Sequence, residues 1–328
     1  MKPEAPSRHS VHDKDSLLSN IALLYYSEGL TQSEIAKRVG LSRATIVNML
    51  REGRERGVVE IRVDGRKLAS SNLSRMLCAK FGLEDAYVSL NRDLPGRKAD
   101  AGEARALLSR VGAIAILDVA AAGDTIGVAW GATIKAVSQV MPRSALSDVT
   151  VCQLIGSMVS ERVHTSEDCA IRIANQIGAI CYTLHAPAVL SSVELANALM
   201  SEPTIREQLA RLETLDLAIF SAGDTAPDTH LVAAGIATER QMAQAADQGA
   251  VAIICGRFVD RQGRQVHAPP DDRLIAITID QLRRAKKKLL IAGGAERREA
   301  VLASIRGDLV THLCVDEKLA RRLLDDAG

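Results

Sequence analysis

From residue 83 onward, short apolar runs with strand character alternate with longer amphipathic stretches. That alternation narrows the fold more than any other feature of the chain. The expected strands cover 86–90, 126–129, 149–154, 179–184, 215–221, 251–254, 274–277, 288–292 and 313–315. The expected helices between them cover 103–121, 133–141, 166–178, 192–200, 238–248, 296–306 and 317–325. Strands that alternate with helices build βαβ units, because a parallel neighbour can be reached only through a long crossover. The fold class expected for this part is therefore α/β, with a doubly wound, largely parallel sheet. No internal repeat is visible.

The chain before residue 66 has a different texture. Residues 1–15 are polar and charged, with Pro3 and Pro6, and read as a disordered tail. From residue 16 to about 56 the pattern is helical. Leu17, Leu18, Ile21, Leu24 and Tyr25 recur at helical spacing until Gly29. Thr31 followed by Glu34 forms a capping-box pattern, and Ile35, Ala36 and Val39 face inward. Gly40 breaks that helix where a turn needs positive φ, and Ser42 caps the next. Residues 58–63 alternate and read as a short strand, part of a wing. Residues 67–82 read as a connecting helix carrying Leu73, Leu77 and Phe81. At roughly 100–200 residues per domain, 328 residues suit two domains: 16–66 and 83–328.

Residues 32–51, QSEIAKRVGLSRATIVNMLR, meet the demands of a helix-turn-helix. Ala36 is small where two helices must approach closely. Ile35, Val39, Leu41, Ile46 and Leu50 supply an apolar seam. The second helix of the pair then presents Ser42, Arg43, Thr45 and Asn48 outward, as a helix entering the major groove requires. Arg43 can pair with guanine O6 and N7, and Asn48 with adenine N6 and N7. Lys37, Arg38 and Arg51 suit phosphates, which set register rather than sequence. Residues 37–56 hold six basic side chains against Glu52 and Glu55. The competing reading is a dimerisation bundle with solvating charges. Cap, spacing, seam and exposed tip agree on double-stranded DNA instead.

Charge and composition exclude other classes. The formal net charge is only +1, so DNA-binding charge must be local. Aromatic residues make up 2%, too few for stacking on single strands. The six cysteines, at 78, 152, 169, 181, 255 and 314, form no close pair and suit reduced core positions. No metal or cofactor is expected. The N-terminus lacks an apolar signal core, and the apolar stretch at 111–122 is too short for a bilayer. A cytoplasmic protein without membrane partners is expected.

Loops rich in Gly, Thr and Asp punctuate the α/β part. They contain Gly123, Asp124 and Thr125; Gly131 and Thr133; Gly156; Asp224; and Gly293, Gly294 and Arg297. Ligands of open α/β sheets bind beyond the carboxyl ends of strands, where glycines and helix N-termini admit anions. Any one such loop is more often a plain turn. The pairing of GDT with WGAT around one strand points to a small-molecule effector site built from these residues. No catalytic residue is assigned. An enzyme would need a placed carboxylate or histidine, and Asp124, Asp224, Asp228 and His185 are the candidates. No Walker loop or nucleophile elbow accompanies them. An architectural DNA protein would not need so large a second domain.

Taken in order, LTQSEIAKRVGLSRATIVNMLREGRERGVVEI, GDTIGVAWGATIKAV, LHAPAVL, GAVAIICGRFVDRQG and LLIAGGAERREAVLASIRGDLVTHLCVDEKLARRLL resemble the SorC family of sugar-responsive transcriptional regulators. The resemblance covers about residues 17–325. It implies a C-terminal domain similar to sugar-phosphate isomerases and CoA-transferases, a sugar, polyol or phosphorylated sugar as effector, and self-assembly into dimers or tetramers. The chain departs from the family at two positions. Ile253 stands where an Asp is common, and Arg297 where a Lys is common. The alternative function is a sugar-phosphate isomerase-like enzyme fused to a DNA reader.

Overall fold

The computed structural model describes residues 8–59, 61, 63–90, 100–158, 166–226 and 229–325. The chain divides into two compact units, residues 1–63 and 64–328.

The first unit is helical. α1 spans Arg8–Ala22 and runs into a π-helical turn at Leu23–Ser27. α2 spans Gln32–Val39 and α3 spans Arg43–Glu55. Leu18 and Ile21 from α1, Ile35 and Ala36 from α2, and Ile46, Met49 and Leu50 from α3 form its core. The expected seam is there, with Val39 and Leu41 packed at its margin. Two expectations fail in this unit. Helix α1 begins at Arg8, eight residues earlier than the expected start, inside the stretch read as a disordered tail. Ion pairs from Lys14 to Glu52 (2.8 Å) and from Asp15 to Arg56 tie that extension to α3 and its cap. The wing is also absent: among the described residues of 58–63 there is no strand. Val58, Ile61 and Val63 are exposed, so the alternating pattern has no sheet against which to bury its apolar side.

The second unit opens with two helices where one connecting helix was expected. α4 spans Gly65–Ala69 and α5 spans Asn72–Phe81. Ser71 interrupts them by capping α5, its hydroxyl accepting from the Ser74 N–H at 3.1 Å. Both belong to the α/β unit: Leu77 is fully buried in one of its cores.

The remaining elements follow in chain order. They are β1 (Asp85–Ser89), α6 (Ala101–Val119), β2 (Thr125–Val128), α7 (Ala132–Gln139), β3 (Thr150–Gln153), α8 (Ser166–Ile177) and β4 (Ile180–Tyr182). Next come α9 (Val193–Ser201), α10 (Pro203–Ala210), β5 (Leu217–Phe220), β6 (Ala222–Gly223), α11 (His230–Ala233), α12 (Glu239–Asp247), β7 (Ala252–Ile254), β8 (Arg257–Val259) and β9 (Gln265–Val266). The chain closes with α13 (Ile279–Arg284), β10 (Lys287–Ala292), α14 (Arg298–Arg306), β11 (His312–Asp316) and α15 (Glu317–Leu324).

Seven strands form one sheet in the order β1-β11-β10-β5-β2-β3-β4, with every pairing parallel. Successive residues alternate between two buried faces. Leu217, Ile219, Leu289, Ile291 and Cys314 face the core with α6, α7 and α8. Ala218, Phe220, Leu290, Ala292, Leu313 and Val315 face the core with α5, α14 and α15. Burial on both faces explains why the strands read as continuous apolar runs.

The sequence does not announce the second sheet. It is antiparallel, in the order β6-β7-β8-β9, and its strands are two or three residues long. Cys255 (φ 50°) and Gly256 (φ 82°) form the two-residue link between β7 and β8. Two consecutive positive φ values are what a hairpin link of this length requires. Buried Arg257 then braces the sheet, donating to the Ile277 carbonyl (2.7 Å), the Ala276 carbonyl (3.0 Å) and Asp271 (2.7 Å). The strand expected at 274–277 is reduced to two single bridges, Ile155 to Ala276 and Val189 to Leu274. Among the described residues no helix is long and apolar enough to cross a membrane, and no cluster of three metal-ligating side chains occurs.

Candidate functional site

Two arrangements stand out, one in each unit. In the first, α2 and α3 are joined by a turn whose centre, Gly40, adopts φ 72°. Thr31 and Glu34 form the capping box: the Thr31 hydroxyl accepts from the Glu34 N–H at 3.3 Å, and the Glu34 carboxylate accepts from the Thr31 N–H at 2.8 Å. Hydrogen bonds from Thr31 hold the Glu34 carboxyl below the usual carboxylate range. Lys37 and Arg38 are exposed in the last turn of α2.

On α3, Arg43, Asn48 and Arg51 are exposed, and Arg51 lies 3.7 Å from Glu55. Ser42 and Thr45 are partly committed to local structure. The Ser42 hydroxyl accepts from the Thr45 N–H at 3.0 Å and lies 2.8 Å from the Thr45 hydroxyl, which is half-buried. One neighbour was overlooked in the sequence: Val47, an apolar side chain 42% exposed on α3 between Arg43 and Asn48. The signal was an apolar residue outside the helical seam. A groove beside Arg43 is lined by Tyr25, Tyr26, Gln32 and Ser33 at the amino end of α2.

In the second unit, strand order decides where a ligand can sit. The chain leaves β2 toward β3 on one side, and leaves β5 toward β10 on the other. Connections therefore diverge between β2 and β5, and a crevice opens at their carboxyl ends. A pocket of about 70 Å³ occupies that crevice. Trp130, Gly131, Ala132 and Thr133 reach it from the end of β2, and Ser221 and Gly223 from the end of β5. Ile253, Cys255 and Gly256 come from the β7–β8 hairpin, Leu231 from α11, and Arg297 from the turn after β10.

The pocket lining combines polar and apolar groups. Gly131 is the N-cap of α7 at φ 123°, with no side-chain cap, so the first N–H groups of α7 have no side-chain acceptor. The Ser221 hydroxyl oxygen is buried without a hydrogen-bond partner among the described residues. Among the described residues Arg297 is the only charged lining residue, and its Nη1 donates to the Ala222 carbonyl at 2.8 Å. Trp130, Leu231, Ile253 and Cys255 are buried lining residues. Burial pushes the Cys255 thiol up to about 12, so it is neutral near pH 7.

Of the expected effector residues, Gly131, Thr133 and Arg297 meet in this pocket. Gly123, Asp124 and Thr125 do not. Gly123 and Asp124 precede β2 and Thr125 is its first residue, so they lie at the amino end of the sheet, away from the crevice. There Asp124 accepts from Lys287 Nζ (2.7 Å) and the Ala121 N–H (2.9 Å), and the Thr125 N–H donates to Asp216 (2.9 Å). Gly156 is a close-packing position: a Cβ there would lie 2.6 Å from the Pro187 carbonyl oxygen. Asp224 folds back to accept from the Ala226 N–H at 3.1 Å. Gly293 and Gly294 shape the turn that carries Arg297, with the Gly294 N–H donating to Asp316 at 2.6 Å. Trp130, Ser221, Leu231 and Cys255 were missed, because only the folded topology gathers them. Among the candidate catalytic groups, Asp124 and Asp224 are engaged as described, His185 is exposed, and Asp228 lies outside the described residues.

The chain is similar to known proteins. The family model described as "Putative sugar-binding domain" matches residues 66–325. The chain is 36% identical over 301 residues to the protein named "Uncharacterized transcriptional regulator YjhU" of Escherichia coli K12, covering 92% of each chain. It is 28% identical to the deoxyribonucleoside regulator of Bacillus subtilis 168, over 96% of this chain and 99% of that one. Among solved structures, the full-length sorbitol operon regulator SorC of Klebsiella pneumoniae superposes with a TM-score of 0.69 at 25% identity. That superposition covers 95% of this chain and 100% of that one.

Proposed function

The chain belongs to the SorC family of sugar-responsive transcriptional regulators, and from that premise we propose how its two units divide the work. The first unit binds double-stranded operator DNA through α3. The second binds a small sugar, polyol or sugar-phosphate effector, and effector binding changes operator affinity.

On DNA, Arg43 and Asn48 read base edges, and Val47 adds an apolar contact. Lys37, Arg38 and Arg51 hold phosphates, while Ser42 and Thr45 set the start of the recognition helix. In the effector unit, Thr133, Ser221, Arg297 and the amino end of α7 hold the ligand's anionic or hydroxyl end. The observation that carries this reading is the pocket at the divergence of β2 and β5. Among the described residues no carboxylate or histidine lines that pocket, which favours a sensor over an isomerase. The chain assembles as a dimer or tetramer, so that paired recognition helices meet half-sites about one helical turn apart, ~34–36 Å, or a multiple of that.

The test separates the two roles. Arg43→Ala and Asn48→Ala are expected to erase the preference for operator over random DNA, each costing about 1–3 kcal/mol on operator, with effector binding intact. Thr133→Val and Arg297→Ala are expected to weaken the effector response at least tenfold while operator binding persists. Fluorescence anisotropy on labelled operator and random duplexes, with and without sugar phosphates, measures both. Equal loss on both duplexes would mark Arg43 and Asn48 as phosphate contacts. A normal response in both pocket variants would put the effector elsewhere, and multiple turnover of a sugar phosphate would make the chain an enzyme.

A further inference from the structure

Helix α6 touches the elements that carry pocket residues and also the place where the chain enters the second unit. What that placement implies rests on the effector pocket proposed above. Leu108 packs against the turn that carries Arg297: its Cδ2 stands 2.6 Å from the position a Cβ on Gly293 would take. One helical turn further along, Gly112 lies against two more elements. A Cβ there would sit 3.1 Å from Val137 Cγ2 of α7 and 3.2 Å from Ile291 Cδ1 of β10. Helix α7 starts in the pocket with Ala132 and Thr133, and β10 leads into the Gly293–Gly294 turn.

Near the carboxyl end of α6, Asp118 meets Gly65, the second residue of the second unit and the first of α4. A Cβ on Gly65 would lie 2.7 Å from Asp118 Cβ and 2.8 Å from its Cγ, so the backbone of α4 rests directly on that side chain. Buried Tyr87 of β1 holds the same carboxylate, its hydroxyl donating at 2.7 Å. Leu108 and Asp118 are ten residues apart on one uninterrupted helix, about 15 Å along its axis. Between them Val111, Gly112, Ala113, Ala115 and Ile116 are buried. Contacts between long side chains can absorb a small displacement by a change of rotamer. Contacts made at glycine cannot, because the neighbour abuts backbone, and close-packed interiors pass such displacements on.

We propose that α6 is the element that couples the effector pocket to the segment joining the two units, and that Gly65 on Asp118 is the contact through which it acts. An effector held by Thr133 and Arg297 draws α7 and the Gly293–Gly294 turn together. Helix α6, gripped by both at Gly112 and Leu108, slides with them as one body, the small shear that packed helices allow. Asp118 carries that shift to the first turn of α4. Asp64 transmits it to the chain before it, because its side chain caps α4 by accepting from the Arg66 N–H at 3.1 Å. Gly65 and Gly112 are positioning residues in this scheme. Neither lines the pocket, and neither belongs to the DNA-binding unit.

Two measurements on the full chain test this, with ribose 5-phosphate, fructose 6-phosphate and sorbitol 6-phosphate as probes. The first is hydrogen exchange of the unaltered protein, followed by mass spectrometry. Saturation with a probe that binds is expected to change exchange across residues 108–119 and 64–69 together. The second is the coupling factor, the ratio of operator affinities with and without that probe. Gly65→Ala and Gly112→Ala are each expected to reduce it about threefold or more, while the calorimetric affinity for the probe without DNA is unchanged. Gly65→Ala should also keep the exchange change in α6 and lose it in α4. A role in stability alone would lower the melting temperature and leave the coupling factor intact, and that result overturns the proposal. Unchanged exchange in α6 and α4 on saturation overturns it as well. The exchange measurement uses the unaltered protein, so it decides even if a variant fails to fold. Both of these failures leave the effector pocket in place. Binding of none of the three probes overturns the sugar-phosphate reading of the pocket, and the coupling role of α6 with it.

Discussion

Asp124 and Thr133 sit nine residues apart in loops of similar composition, yet they lie at opposite ends of the same strand. Thr133 follows β2 and reaches the crevice; Asp124 precedes it and is tied to Lys287. The amino end of the sheet is instead a structural ladder, continued by Asp216, which accepts from the Thr125 N–H and pairs with Lys286 at 2.8 Å. Burial acts to raise the Asp216 carboxyl, but the Lys286 hydrogen bond, the Thr125 N–H and the neighbouring lysine charges outweigh it and hold it below the usual range. A carboxyl lowered in the folded state stabilises fully above its unfolded value, ~3.9, and loses that contribution as pH falls through the folded value. Asp216→Asn should therefore lower the melting temperature at pH 7, with the gap to the unaltered protein narrowing as pH falls below the usual carboxylate range. Neither Asp216→Asn nor Asp124→Asn should change the affinity for sugar phosphates. A gap that never narrows as the carboxyl is titrated with acid would mean that packing, not ionisation, makes Asp216 matter. Altered ligand affinity would return the Gly-Asp-Thr loop to the binding site.

At the scale of elements, the helix-turn-helix was the most legible part because its signals are local. Thr31, Glu34, Gly40 and Ser42 act within four residues of their own positions, and each does what its type and spacing imply. Ser42→Ala should cost about 1 kcal/mol of stability by releasing the Thr45 N–H from its cap, and Ser42→Asp should restore most of that loss. Thermal melting followed by far-ultraviolet circular dichroism reads both. A Ser42→Ala protein that melts like the unaltered one would show that the cap contributes nothing in the intact unit. The elements that misread are those whose fate is set by distant partners. The alternation at 58–63 has the period of a strand, but a strand also needs a neighbour, and among the described residues none forms there. The strands β6, β8 and β9 are too short to show any period, and they exist because Arg257 and the Cys255–Gly256 turn hold them together. The Gly-Asp-Thr loop misled for a third reason. Its chemistry suits a ligand, and only the strand boundary at Thr125 reveals that it sits at the wrong end.

For the whole molecule, the decisive fact is non-local. Parallel strands were readable from alternation, but their order was not, and the order is what opens the crevice between β2 and β5. The same distinction applies to regulation. A DNA reader and an effector pocket in one chain make a switch only if the effector binds better to one state of the protein than another. Linkage then demands symmetry. If effector changes operator affinity by some factor, operator must change effector affinity by that same factor, and a tenfold change corresponds to about 1.4 kcal/mol. Calorimetry of a binding sugar phosphate with and without saturating operator duplex, set beside anisotropy of the duplex with and without that sugar phosphate, gives both factors. Equal factors are expected, in the unaltered protein and in Arg297→Ala alike, because linkage holds whatever the strength of effector binding. Random duplex should give a factor near one, because without base contacts it has less cause to favour either state. Unequal factors at constant protein concentration would show that a third equilibrium, such as a change in the number of assembled copies, intervenes between the two ligands. Sedimentation velocity under the same four conditions would then reveal that change directly as a shift in mass.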